Sequence, residues 1–555
     1  MLLSANISEK SFGNKILYKD LSFDIQKAEK IGLIGRNGTG KSTLLGILTG
    51  DDKDFEGEVI SKGGAIIVSS RQEHHGHEAK TVLEYIQGDL PEYAELTHII
   101  DTYPDTMGNN QKLIQEFSSA LERFGELNYY QIEDELNQAL AIYQIDSSYL
   151  HKKIGSLSGG QKRMIELIKV QRSRGHLALI DEPTNHMDYV AKQVFIKWMN
   201  STAEAVLVVT HDRDVLSNVD RILEIRDGRC FGFKGNYTAY LKTNTNQVTS
   251  SVNEYDLSQR RINNLRQDII RFRRLKEKSR TPGTIKRFKS QEQKAETELQ
   301  KLLSKDKPSF WIDQDSAEGM SDKLASAYDK YKATNIKIST KESSSTGDSR
   351  LLLKVSHLSL GYNNTPLFND MNFTLREGER VRLHGRNGVG KSTLVKALIS
   401  NTSGNEASPT VISGQISVET GIMIGLYEQE IDPDYLDSTL NQAIESILRR
   451  KDLPIDPQHI KKLLGDYLFN PITDGDLPVS RLSGGQKARL QLIAMLAGNP
   501  QILILDEPTN HLDLPSIEEL EKTLVNYHGA ILYISHDSLF ADKLGGQIIK
   551  ITSED

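Results

Sequence analysis

The chain has 555 residues, well past the roughly 250–300 at which a single core stops growing, so more than one domain is expected. Hydrophobic residues at 37% and charged ones at 26% exclude a disordered polymer, and no run approaches the roughly 18 apolar residues of a membrane span. The lone Cys230 excludes an internal disulfide or a multi-cysteine zinc site, the net charge of −7 does not by itself point to nucleic acid, and the absence of a signal-peptide pattern leaves a reducing, cytoplasmic compartment as the expectation.

From the N-terminus, the apolar run KIGLIG predicts a strand that leads into GRNGTGKS (35–42) and then a helix. Between 80 and 150, two sets recur at helical spacing: Leu113, Phe117, Leu121 and Phe124, then Ile132, Leu136, Leu140 and Tyr143. They predict an inserted helical hairpin. SLSGGQKR (156–163) sets two glycines and a serine at a helix start, an anion site without a lysine of its own. LALID and AVLVVT predict buried strands, the first ending in Asp181-Glu182 and the second leading to His211.

Beyond about 245 the composition changes. Ile262, Leu265, Ile269 and Phe272 follow a heptad-like pattern, and after SRTPGT so do Phe288, Ala295, Leu299 and Leu302. Pro282-Gly283 reads as a turn between two antiparallel helices, each of about 25 residues and roughly 35–40 Å long. A third, short helix is expected near GMSDKLASAYDKYK (319–332), and STKESSSTGDS (339–349) reads as a flexible connector.

The first part of the chain then returns. GRNGVGKS (385–392) repeats the glycine-rich loop, RLSGGQKARLQLI the signature around Ser483, LILDEPTNHLD the Asp506-Glu507 pair and YISHDSLF the histidine, His536. Lys391 follows Lys41 by 350 positions, whereas Ser483, Asp506 and His536 follow Ser158, Asp181 and His211 by 325. The chain therefore holds two copies of one α/β domain, the first with extra residues between lysine and LSGGQ. The expected architecture is a P-loop domain over 1–244, an α-helical coiled-coil hairpin and connector over 245–350, and a second P-loop domain over 351–555.

Both glycine loops fit G-x-x-x-x-G-K-[ST], the phosphate loop of a nucleotide site, each after a strand and before a helix. The backbones of Gly35, Arg36, Asn37, Gly38, Thr39 and Gly40, and of Gly385, Arg386, Asn387, Gly388, Val389 and Gly390, with the helix starts through Thr43 and Thr393, suit the phosphates of ATP. Lys41 and Lys391 neutralise the outer phosphates, while Ser42 and Ser392 reach Mg²⁺. A carboxylate ending a strand is often a structural cap. Two in succession, on a strand expected beside the phosphate loop, suit Asp181 and Asp506 to the metal and Glu182 and Glu507 to a general base or water-positioner.

Phosphate loop, LSGGQ, strand-Asp-Glu and downstream histidine, in that order, resemble an ATP-binding-cassette ATPase. DEPTNHMD and DEPTNHLD, with FKGNYTAYL (233–241) leading into a charged hairpin, resemble the ABC-F family over nearly the whole chain. The resemblance implies that each LSGGQ loop covers ATP held by the other copy. Ser158, Gly159, Gly160 and Gln161 would close over the nucleotide on Lys391, and Ser483, Gly484, Gly485 and Gln486 over that on Lys41. It implies that Gln72 and Gln429 contact Mg²⁺ and water, and that His211 and His536 sense the outer phosphate. It also implies that Phe12 and Tyr362, each 29 residues before its lysine, stack on adenine. Core burial is the rival reading for these rings.

Between Arg260 and Lys307 stand 16 Lys/Arg against six Asp/Glu, a surplus hidden in the acidic average. A charged helix is commonly just a solvated face, but one sign concentrated on a rod is the footprint of phosphate binding. The resemblance implies a ribosome partner, the hairpin entering the exit site to touch rRNA and the tRNA acceptor end, and a monomer whose cassettes pair within the chain. The expected function is a cytoplasmic ATPase that modulates translation or rescues stalled ribosomes. A ribosome-protecting antibiotic-resistance factor is the alternative, which the compact SRTPGT tip disfavours. A transporter ATPase would need membrane subunits and has no use for a basic hairpin, and a DNA-repair ATPase would need longer coiled coils or zinc-binding cysteines.

Overall fold

The computed structural model describes every residue except 14, 72, 73, 75, 186, 304–335, 338–349, 363–364, 404–409, 429–430 and 552–555. Contacts divide the chain into two units: Met1–Tyr237 with Ile336–Asp555, and Thr238–Asn335. The expected third helix (319–332) and the expected connector (339–349) lie outside the described residues.

The first unit holds both copies. Leu177–Asp181 and Ala205–Val209 are buried at every position, as central strands covered on both faces must be. Leu3–Phe12 instead alternates at its start, burying Leu3, Ala5 and Ile7, and so forms an antiparallel sheet with one covered face, flanked by Lys15–Ile25 and Glu56–Ser61. The larger sheet runs Ile67–Ser69, Leu177–Asp181, Ala205–Val209, Lys30–Gly35, Arg221–Arg226 and Arg229–Lys234, with only the last pair antiparallel. The second copy repeats this order with Ile424–Tyr427, Ile502–Asp506, Ala530–Ile534, Arg380–His384 and Gln547–Lys550.

This order corrects one expectation. The Asp-Glu strand does not lie beside the phosphate-loop strand, because the histidine-bearing strand runs between them in each copy. Two strand spacings, about 10 Å, separate the two strands. An apolar run reveals burial but not neighbours, since a crossover connection passes as readily over one strand as over none.

The inserted hairpin is Tyr93–Thr106 with Gln111–Glu126, closed by Phe124 against Tyr93, Tyr129 and Tyr130. Leu113, Phe117 and Leu121 face partly inward on its second helix. The second helical repeat, Ile132–Ile142, is not part of the insertion, for Pro457–Asp466 is its counterpart at the 325 offset.

In the second unit, Tyr237–Lys278 and Pro282–Leu303 form the helices, 42 and 22 residues long, or about 63 and 33 Å. The first is much longer than its heptads suggested. Pro282 does not sit in the turn but opens the second helix, where its missing N–H costs nothing. Leu265, Ile269 and Ala295 form the seam with Leu299 and Leu302.

Candidate active site

Each phosphate loop turns from its strand into a helix, Lys41–Thr49 or Lys391–Ser403. Gly40 stands at φ 93°, and a Cβ there would lie 2.5 Å from Tyr18 Oη and from Leu17, so glycine is required twice over. Lys41 Nζ donates to the carbonyls of Gly35 at 2.7 Å and Arg36 at 3.2 Å, and Lys391 Nζ to those of Gly385 and Arg386 at 2.8 Å each. Burial lowers the pKa of both ammonium groups, a cost that phosphate oxygens in the loop would offset. Ser392 Oγ donates to Asp506 Oδ2 at 2.7 Å, which bridges the intervening strand and joins two hard oxygen donors fit for Mg²⁺.

Glu182 and Glu507 follow their strands at φ 46° and 50°, in left-handed turns that aim each carboxylate at the histidine of the neighbouring strand. His536 N donates to Glu507 Oε2 at 3.2 Å, with His536 Nε2 3.4 Å from Oε1; in the first copy His211 Nε2 lies 3.8 Å from Glu182 Oε1. Burial raises Glu507 to about 7 and Glu182 to about 8, and lowers both histidines to about 3. Glu507 Oε1 and both ring nitrogens of His211 and His536 are buried without a hydrogen-bond partner among the described residues. Neutral imidazoles and high-pKa carboxylates around a cationic loop suit a triphosphate and an attacking water.

A cavity of about 460 Å³ spans the two copies. Ser158, Gly159 and Gly160 of the first line it with Asn387, Lys391, Ser392, Glu507 and His536 of the second. At the other loop, a Cβ on Gly485 would fall 2.1 Å from Asn37 Nδ2. Asn37 donates from Nδ2 to the His511 carbonyl at 2.8 Å and from its backbone N to Asp513 Oδ2 at 3.2 Å. Asn387 N and Arg386 Nε reach Asp188 Oδ2 at 3.2 and 3.3 Å in the mirrored contact. Each phosphate loop is thus met by the signature and the aspartate of the opposite copy. Sequence reasoning gave Asp188 and Asp513 no role, although their recurrence within DEPTNHMD and DEPTNHLD was a signal.

Ser158 Oγ accepts from Gln161 N at 3.3 Å while Gln161 Oε1 accepts from Ser158 N at 3.0 Å, a capping box that Ser483 and Gln486 repeat. The serine proton remains available to an anion at the helix start. Phe12 is 56% exposed with Lys10 Nζ 4.9 Å from its ring, so core packing does not account for it. Tyr362 ends the strand Leu351–Tyr362, and Gln72 and Gln429 lie outside the described residues.

One buried carboxylate ties the signature helix to the chain near Gln72. Glu166 accepts from Arg71 N at 2.8 Å and lies 2.9 Å from both His74 Nε2 and Lys169 Nζ. Burial alone would raise its pKa, but the bonds to His74, Lys169 and Tyr85 outweigh that and hold it at about 2. A depressed carboxylate contributes stability that is full above the unfolded value, about 4.5, and is lost as pH falls toward 2. That contribution is on the order of 3 kcal/mol. Denaturant midpoints compared at pH 6 and pH 3 are expected to fall less for Glu166→Gln than for the unmodified chain.

A family model described as ABC transporter matches residues 18–185 and 368–510, and a second of the same description, an extension, matches 223–310. The ATP-binding protein YdiF of Bacillus subtilis is 30% identical over all of this chain and 80% of its own length. The energy-dependent translational throttle protein EttA of Mycobacterium tuberculosis is 28% identical over 98% of this chain and 90% of its own. Among solved structures, the archaeal ribosome recycling factor aABCE1, in complex with the ribosomal stalk protein aP1, superposes with a TM-score of 0.58 at 17% identity, covering 99% of this chain and 88% of that one. At that identity the likeness speaks for the fold alone.

Proposed function

Because the chain belongs to the ABC transporter family of ATP-hydrolysing cassettes, in its ABC-F branch, we propose that it is an ATP-driven clamp acting on the ribosome. Two ATP molecules, each with Mg²⁺, lie between the cassettes, one on Lys41 under Ser483 and one on Lys391 under Ser158. Mg²⁺ would neutralise phosphate charge when bound, and Ser42, Asp181, Ser392 and Asp506 would hold it, with Gln72 and Gln429. Glu182 and Glu507 accept a proton from the attacking water, and His211 and His536 meet the outer phosphate. Closure is intramolecular, and hydrolysis releases it.

The observation that carries the RNA partner is where the hairpin spends its acids. Glu298 pairs with Arg261 at 2.8 Å, and Glu292 and Glu296 with Arg273 at 2.8 and 2.7 Å. Arg271, Arg274, Lys278, Arg280, Lys286, Arg287 and Lys289 stay exposed with no ion pair among the described residues. Such a cationic rod suits RNA recognised through shape and backbone. The relative EttA is a translational throttle, which favours modulation of translation. The tip, residues 279–281 between the helices, is compact and favours this over protection against a drug. Among the described residues no helix is long and apolar enough to cross a membrane.

The test is co-sedimentation. With ATP, the protein carrying Glu182→Gln and Glu507→Gln is expected to pellet with ribosomes. Changing Arg274, Lys278, Arg280, Lys286 and Arg287 to Gln is expected to weaken this at least tenfold and flatten its salt dependence, by about 0.7–0.9 in log–log slope for each phosphate that is no longer neutralised. No pelleting of the trapped protein in ATP would count decisively against a ribosomal role.

A further inference from the structure

The two composite sites share their motifs but not their seam. Lys192, on the helix Tyr189–Ser201 of the first cassette, donates from Nζ to the backbone carbonyl of His536 at 2.6 Å. Asp214 at 2.6 Å and Asp212 at 3.2 Å hold the same ammonium from its own cassette. Tyr189 sets its ring 4.9 Å from that of His384, which precedes the second phosphate loop, and Asp214 accepts from Ser538 Oγ at 3.0 Å. At the 325 offset the second cassette places Leu514, Ile517 and Leu539 where the first has Tyr189, Lys192 and Asp214. None of those three side chains can donate a hydrogen bond, accept one or stack as an aromatic ring.

We propose that Lys192 is a positioning residue for the second ATP site alone, bracing the His536 carbonyl from the opposite cassette, whereas the histidine loop of the first cassette is held across the seam by a different pair, Arg213 with Glu521. Lys192 is 2% exposed and lines the same cavity as Lys391, Ser392, Glu507 and His536. The backbone of His536 is thereby tied on both sides: its N–H donates to Glu507 within its own cassette, and its carbonyl accepts from the partner cassette. Closing the seam thus fixes the histidine and the carboxylate together. Since the bonds of Lys192 go to the histidine loop and not to the phosphate loop, its loss acts on the rate of hydrolysis rather than on nucleotide affinity.

The inference rests on the assignment of the two composite sites, and single-site parents separate the two. Glu182→Gln leaves the second site to hydrolyse and Glu507→Gln the first, read as single-turnover hydrolysis across ATP concentrations. Adding Lys192→Met to the Glu182→Gln parent is expected to lower the saturating rate at least ~10-fold while half-saturation moves less than about threefold. Lys192→Arg is expected to restore most of that rate. Adding Lys192→Met to the Glu507→Gln parent is expected to leave its rate within about twofold, which also shows that unpairing Asp212 and Asp214 has not unfolded the seam. Equal losses in both parents, or none in the first, would overturn the role of Lys192 alone. Parents that each hydrolyse like the unmodified chain, or not at all, would overturn the site assignment and this inference with it.

Discussion

With glutamine at both Glu182 and Glu507, ATP turnover is expected to fall about 10²–10⁴-fold, the range that a positioned general base contributes, while nucleotide still binds. The geometry explains why the loss is chemical and not structural. Glutamine is isosteric, and its carbonyl oxygen can still accept from His536 N as Glu507 Oε2 does. What it cannot do is take a proton from water. Burial, which brings Glu507 to about 7 and Glu182 to about 8, makes each carboxylate a base matched to neutral pH, and an amide has no such capacity. The exchange also removes the partial negative charge that Glu507, and more weakly Glu182, carries near neutral pH beside Asp181, Asp506 and the triphosphates, so repulsion that opens the clamp falls and the closed state persists. Phosphate release measures the first effect, and nucleotide retained through gel filtration the second. Turnover within tenfold of the unmodified protein would take both carboxylates out of the role of base.

Most of this site was readable because it is written twice. The phosphate loops, signatures, Asp-Glu pairs and histidines stand at fixed offsets, and the buried strands are runs such as LALID, apolar up to the closing aspartate. The signature serine as N-cap was also legible, since Ser-x-x-Gln is a capping box written in sequence. Strand order was not, because burial carries no record of neighbours. The hairpin seam followed from Leu265, Ile269, Ala295, Leu299 and Leu302, but the length of its first helix did not. Its opening turns, YTAYLKTNTNQVTSS, carry no heptads, and nothing in a polar stretch distinguishes helix from loop.

The seam residues escaped for the opposite reason. Lys192 and Arg213 break the repeat instead of following it, and their partners lie 344 and 308 positions away. A repeat reveals what two cassettes share. The contacts that make one cassette unlike the other can only be seen once the two are placed face to face.

Arg213 supplies the largest expected effect on the fold. Its Nη1 meets Glu521 Oε1 of the second cassette at 2.6 Å, with the side chains 3% and 2% exposed, and Lys543 approaches Glu521 Oε2 at 3.2 Å. Arg213→Met alone leaves Glu521 buried with only Lys543 for company. Glu521→Leu alone leaves a buried guanidinium whose Nε and Nη2 already lack hydrogen-bond partners among the described residues. Each single change is expected to destabilise the docked cassettes by about 3–5 kcal/mol, the cost of stranding one charge of a buried pair. Changing both is expected to recover most of that stability, because two apolar side chains need no solvation and Lys543, 32% exposed, can turn to water. The other side of the seam carries no ion pair at the corresponding positions: at the 325 offset, Ser538 and Ile196 stand where Arg213 and Glu521 do. Denaturant midpoints of the two singles and the double form the deciding cycle. A double variant as unstable as the sum of the singles would mean that the pair holds the cassettes together by its own attraction, and that shape and apolar contact alone do not suffice there.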